Sequence, residues 1–164
     1  MTHEMHVRIT RLRKDVPLPE YQTTGAAGFD MAAAEDVTIA PGEVKLVPTG
    51  LVIEVPLGMF LGVFARSSTP LKRGLMVANG VGVVDSDYCG PADEVKIQVL
   101  NFTRDPITVK AGDRIAQGIF LPATRVVWRE AEAGQPASRG GFGSTDREAR
   151  VAPKRRCPSG REGS

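Results

Sequence analysis

The residues best able to do chemistry fall at five places along the chain. The densest is Asn79-Gly80-Val81-Gly82-Val83-Val84-Asp85-Ser86-Asp87-Tyr88-Cys89-Gly90, which reads as a hairpin ending in an acidic turn. Asp, Ser and Gly are common turn formers, so Asp85 alone has an ordinary reading as a turn acid. Such a carboxylate also suits a general base, with Tyr88 as a flat platform for a sugar or ring. Ala65-Arg66-Ser67-Ser68 sets a cation beside two hydroxyls where a short helix is expected to begin. Free N–H groups and the dipole at a helix start favour an anion, although the same residues also make a surface arginine and an N-cap. Arg139-Gly140-Gly141-Phe142-Gly143-Ser144-Thr145 is a glycine-rich island whose backbone N–H groups can approach phosphate oxygens closely. In Gly112-Asp113-Arg114-Ile115-Ala116-Gln117, Gln117 is an amide inside an apolar strand and must find partners, while Arg114 beside Asp113 reads as a surface ion pair. Asp30, after Gly28-Phe29, is by itself a plain turn acid.

Short strands must position these groups. Val95, Ile97 and Val99 alternate with Lys96 and Gln98, as in a half-buried antiparallel strand. Residues 59–64 form a more fully buried run, and Leu46, Val47, Leu51, Val52, Ile53 and Val55 make a strand-like run around Pro48. Turn signals separate the runs at Pro41-Gly42, Asp105-Pro106 and Ala111-Gly112. Val37-Thr38-Ile39-Ala40-Pro41-Gly42-Glu43 and Ile107-Thr108-Val109-Lys110-Ala111-Gly112-Asp113 echo one another, each reading as strand, glycine turn and return strand. Only residues 67–73 suit a helix, with Ser67 or Ser68 as cap and Pro70 in the first turn. The expected fold is all-β, a jelly roll or distorted barrel of short antiparallel strands with one short helix. It occupies residues 1–130, followed by a flexible arm over 131–146 and a basic, disordered tail over 147–164.

Composition narrows the class. The chain has 164 residues, suited to one core, and an aromatic share of 5%, so that core must rest on Val, Ile, Leu and Ala. Residues 146–164 hold six basic and three acidic side chains, and with a net charge of only +2 overall the rest is close to neutral. The folded part therefore gives no sign of a nucleic-acid surface. Cys89 and Cys157 support neither a disulfide framework nor a zinc site. With no apolar stretch long enough for a signal or a membrane span, a reduced, soluble, intracellular protein is expected, cytoplasmic or nuclear.

Taken together and in order, Ala27-Gly28-Phe29-Asp30-Met31, Arg66-Ser67-Ser68, residues 79–90, residues 112–117 and residues 139–145 resemble the five motifs of the homotrimeric dUTPase family. The resemblance implies a jelly-roll trimer with active sites shared between subunits, which hydrolyses dUTP to dUMP and pyrophosphate with magnesium. It implies that Asp85 activates the attacking water and that Asp30 engages magnesium through water. Asn79 and the hairpin backbone through Gly82 and Val84 would read the uracil edge, and Tyr88 would pack on the deoxyribose. Arg66, Ser67, Ser68 and Gln117 would hold or support the phosphates. Phe142 would cover the uracil, and Arg139, Gly143, Ser144 and Thr145 would close over the β- and γ-phosphates. Two other readings accompany it: a dCTP deaminase-like enzyme of the same fold, which needs a catalytic glutamate, and a dUTPase-derived regulatory binding protein.

Overall fold

The computed structural model describes residues 5–131. The chain divides into two units, Met1–Arg125 and Val126–Ser164, and the strands found among the described residues lie in the first. Among the described residues these are β1 (Ile9–Arg11), β2 (Phe29–Ala32), β3 (Val37–Ile39), β4 (Val44–Pro48), β5 (Leu51–Ile53), β6 (Met59–Ala65), β7 (Leu75–Val77), β8 (Gly82–Val84), β9 (Lys96–Asn101), β10 (Ile107–Val109) and β11 (Arg114–Pro122). One helix, α1 (Ser68–Arg73), follows β6. Every pairing is antiparallel, in four sheets ordered β2-β11-β6-β8, β4-β9-β7, β1-β5 and β3-β10. The jelly roll of short antiparallel strands is thus present as separate sheets rather than as one closed barrel.

Alternation decides which side of each strand is buried. Ile97, Val99 and Asn101 of β9 point inward while Lys96 is exposed, as the period of two requires. Met31, Ile39, Val47, Leu61, Leu75, Val109 and Ile115 complete a core built from aliphatic side chains. Phe29 is the one aromatic side chain buried among the described residues. The run around Pro48 is two strands rather than one. Gly50, at φ +68°, turns the chain between β4 and β5, and a Cβ there would come within 2.6 Å of Val16, so only glycine fits. β4 then joins β9, whereas β5 leaves for β1.

The two echoing segments pair directly with each other. Thr38 lies opposite Thr108, Ile39 opposite Ile107 and Val37 opposite Val109, with the two threonine hydroxyls 2.9 Å apart. An approximate twofold axis passes through the Thr38–Thr108 pair, and the glycine turn after each strand feeds a longer one, β4 on one side and β11 on the other.

Candidate active site

Three strands of one sheet bring Asp30, Gln117 and Arg66 together. Asp30 on β2 lies opposite Gln117 on β11, and Gln117 lies opposite Phe64 on β6. The chain leaves β6 at Ala65, and Arg66 folds back over this rung: its Nε is 2.8 Å from Asp30 Oδ1, and its Nη1 donates to the Arg114 carbonyl at 2.9 Å. Gln117 Nε2 donates to the Ala65 carbonyl at 3.1 Å, which gives the strand amide the partner it required. A Cβ at Gly28 would stand 3.2 Å from Gln117 Oε1 and 3.1 Å from Ile119, so the small residue leaves room for the glutamine to seat.

Arg114 does not pair with its neighbour Asp113. Its Nη1 lies 3.1 Å from Asp30 Oδ2, and Asp113 is instead held by Arg73. Asp30 is thus flanked by two guanidinium groups with its side chain only 12% exposed, and its Oδ2 is shut off from solvent beside Arg114.

A bulge shapes the start of β11. The register with β2 shifts between Arg114 and Ala116, so Ile115 is an extra residue in the ladder. The carbonyls on either side of that shift are taken by the α1 segment, Arg114's by Arg66 and Ile115's by Thr69 Oγ1 at 2.8 Å. Ser67 sits at the N-cap position but has helical backbone angles, φ −53° and ψ −32°, and its side chain makes no capping bond. The capping role expected of it is therefore unfilled. At the other end Gly74 closes the helix at φ +64°, and Arg73 grips Asp113 with two nitrogens at 2.7 and 3.0 Å. The Arg73 hydrogen bonds, with help from the Lys110 backbone N–H, hold the Asp113 carboxyl below its ordinary range, and the same pairing raises Arg73. Thr69 and Arg73 carry no sequence signal of function, because one resembles an ordinary early-helix hydroxyl and the other a late-helix cation.

The hairpin makes a second, separate group. Gly80 turns at φ +73°, β8 pairs with β6, and a Cβ at Gly82 would meet Val63 at 3.1 Å. Asn79 and Asp85 are exposed at the two ends of this strand, Gly82 is half-buried, and Val84 is buried. Tyr88 is 41% exposed; its hydroxyl donates to the Glu94 carbonyl at 3.1 Å, and the Glu94 carboxylate in turn accepts the Gly50 N–H at 2.7 Å. The ring therefore stands on an anchored base.

One chain does not unite the two groups. Val84 pairs with Leu61, three residues along β6 from the Phe64 rung, and β8 is three strands away from β2. With strands about 4.8 Å apart and a rise of about 3.3 Å per residue, Asp85 stands well over about 10 Å from Asp30. Asp30, Arg66, Ser67, Ser68 and Gln117 belong to one group, and Asn79, Gly82, Val84, Asp85 and Tyr88 to the other. Arg139, Phe142, Gly143, Ser144 and Thr145, together with the proposed arm and tail, lie outside the described residues. Among the described residues no group of three His, Cys, Asp or Glu side chains converges as a metal cage.

The family model for dUTPase matches residues 14–146, a span that includes the glycine-rich segment. The deoxyuridine 5'-triphosphate nucleotidohydrolase of Desulfitobacterium hafniense is 46% identical over 150 residues, covering 87% of this chain and 97% of its own. That of Methylocella silvestris is 42% identical over 153 residues, covering 88% and 94%. Among solved structures, the crystal structure of dUTPase from Streptococcus mutans aligns with a TM-score of 0.70 at 35% identity, covering 76% of this chain and all of that one. With the family match spanning most of its length, the chain belongs to the dUTPase family.

Proposed function

We propose that this protein hydrolyses dUTP to dUMP and pyrophosphate in active sites that three copies of the chain build together. The observation that carries the reading is the division just described. A phosphate-binding group with an arginine, two serine hydroxyls and a glutamine lies on one part of the chain, and the hairpin that bears the base lies out of its reach. A neighbouring copy supplying the hairpin completes the site. Val44, Leu46 and Met76 leave one face of the β4-β9-β7 sheet apolar and exposed, which suits a chain that buries surface against its own copies.

In the reaction, the Asp85 carboxylate takes a proton from a water as that water's oxygen bonds to the α-phosphorus. The bond from that phosphorus to the α,β-bridging oxygen breaks in line, and pyrophosphate leaves with the bridging oxygen. Arg66, Ser67, Ser68 and Gln117 hold the phosphate oxygens and spread their charge. Asp30, 12% exposed and held between Arg66 and Arg114, would meet magnesium only through water, with the substrate phosphates completing the shell. When bound, magnesium neutralises the triphosphate. Asn79 and the hairpin backbone at Gly82 and Val84 select uracil by its hydrogen-bonding edge, and Tyr88 sits against the deoxyribose where a 2'-hydroxyl would collide. Phe142 stacks on the base while Arg139, Gly143, Ser144 and Thr145 close over the outer phosphates. Among the described residues no helix is long and apolar enough to cross a membrane.

Pyrophosphate release from dUTP, dTTP, dCTP and UTP, with and without magnesium, tests the substrate: dUTP alone should turn over, and ammonia from dCTP would mark a deaminase. Asp85→Asn keeps shape and removes basicity, so turnover should fall about a thousandfold or more with dUTP binding retained. Shared sites are tested by mixing. Arg66→Ala and Asp85→Asn proteins, each inactive alone, should recover activity when co-assembled, up to about a quarter of wild type if trimers form at random. No recovery would confine each site to one chain.

A further inference from the structure

We infer that Thr69 and Arg73 are positioning residues that lock α1 onto the bulged start of β11, so that the phosphate-holding side chains on both segments keep one fixed spacing. The inference rests on the reading of Arg66, Ser67, Ser68 and Gln117 as phosphate ligands, and it adds two residues that touch no substrate.

Three contacts make the lock, and they are spread along the helix. Arg66 reaches the Arg114 carbonyl just before α1, Thr69 reaches the Ile115 carbonyl in its first turn, and Arg73 grips Asp113 at its last residue. The two carbonyl acceptors, of Arg114 and Ile115, lie where the register of β11 against β2 shifts, and the Asp113 carboxylate stands in the turn just before the strand. A bulge turns carbonyls out of the ladder and leaves them in need of donors. Here the donors come from the helix, which ties the segment carrying Ser67 and Ser68 to the strand carrying Gln117. Thr69 is 1% exposed, so water does not replace its hydroxyl if it is lost. A six-residue helix without a side-chain cap has little stability of its own, and its placement depends on such ties.

The decisive variants are Thr69→Val, which keeps the shape and deletes the hydroxyl, with Thr69→Ser as its rescue, and Arg73→Ala with Arg73→Lys as its rescue. In the full-length protein, Thr69→Val and Arg73→Ala should raise KM for dUTP by about five- to tenfold while the Kd for deoxyuridine, which has no phosphate, stays unchanged. The conservative partners should recover most of the loss. Amide hydrogen exchange at residues 66–69 should speed up in the two disruptive variants and return towards wild type in the rescues. Unchanged KM, or an equal loss of deoxyuridine and dUTP affinity with a lowered melting temperature, would overturn the lock in favour of plain structural support. If the wild-type protein itself failed to turn over dUTP, the functional reading would fail, and the exchange measurement would still judge the lock.

Discussion

The turns at Ala40–Glu43 and Lys110–Asp113 start from the same design and end in different service. Seventy residues separate them, and they share their bonds almost atom for atom. Gly42 and Gly112 both have positive φ, at +72° and +85°, and the N–H of each donates at 2.8 Å to a carbonyl on a neighbouring segment, Asn101 for one and Ala33 for the other. Glu43 accepts the Ala40 N–H and Asp113 accepts the Lys110 N–H, three residues back in each case. The strands that follow then part company. β4 runs in unbroken register with β9, and Leu46 faces Gln98. β11 takes one extra residue against β2, and at the matching rung Gln117 faces Asp30. A single inserted residue separates a plain sheet from the candidate site, and the two carbonyls beside it go to Arg66 and Thr69. The difference teaches that this site is made by a defect in a repeated unit rather than by a distinct element.

The comparison is broken most severely at its buried polar anchors. Asn101, fully buried, donates at 3.0 Å to the Ile39 carbonyl at the head of the first turn and at 2.8 Å to the Asp105 carbonyl in the β9–β10 loop, and accepts from the Thr103 N–H of that loop. Asn101→Ala strips those groups at once and should cost about 3 kcal/mol, a fall in melting temperature on the order of 10 °C, with KM for dUTP unmoved. An altered KM without a loss of stability would show that the first half also serves the site. A smaller effect sharpens the comparison. Gly42→Ala and Gly112→Ala both place a Cβ in open space at positive φ, so each should cost about 1 kcal/mol. Only Gly112→Ala should also raise KM, by about twofold to threefold. Equal kinetic effects in the two variants would mean that the bulge does not separate the halves.

How much of this was legible in the sequence depends on whether the information was local. Alternation marked β9 correctly, since burial of every second side chain is a property of a single strand, and the glycine turns announced themselves because their backbone angles restrict the residue type. The echo between residues 37–43 and 107–113 was visible too, but nothing in either segment said that they would pair with each other. The break between β4 and β5 was hidden, because Gly50 is required by contact with Val16, which is distant in sequence. The assignment of Arg114 to Asp113 failed for the same reason: adjacent residues of a strand point to opposite faces, so the true partners came from β2 and α1. The motif order singled out Asp30, Arg66 and Gln117, which the fold brings together. Thr69 and Arg73 were invisible, since their partners, the Ile115 carbonyl and the Asp113 carboxylate, lie some forty residues on in the chain.

The mildest test lies in the acid limb of stability, where the two matched carboxylates can be weighed against each other. Both are lowered from their ordinary values, 4.5 for Glu43 and 3.8 for Asp113, but by different leading causes: the Ala40 backbone N–H for Glu43 and the Arg73 side chain for Asp113. A carboxyl lowered by folding stabilises the native state above its unfolded value, and that contribution disappears as pH falls through its folded value. Melting temperature should therefore drop on acidification from about pH 5 to about pH 2, and substituting either carboxyl should flatten part of that drop. Asp113→Asn should flatten it more, because a half-buried arginine fork is lost along with the backbone bond; at neutral pH the cost should be about 1 kcal/mol, screened as the pair is by partial exposure. Glu43→Gln should leave dUTP kinetics alone and Asp113→Asn should not, since only the second loosens the hold on α1. Melting curves and KM measured on the same two proteins across that pH range decide it. A larger acid effect from Glu43, or identical kinetics in both, would place the stronger of the two turns on the wrong side of the molecule.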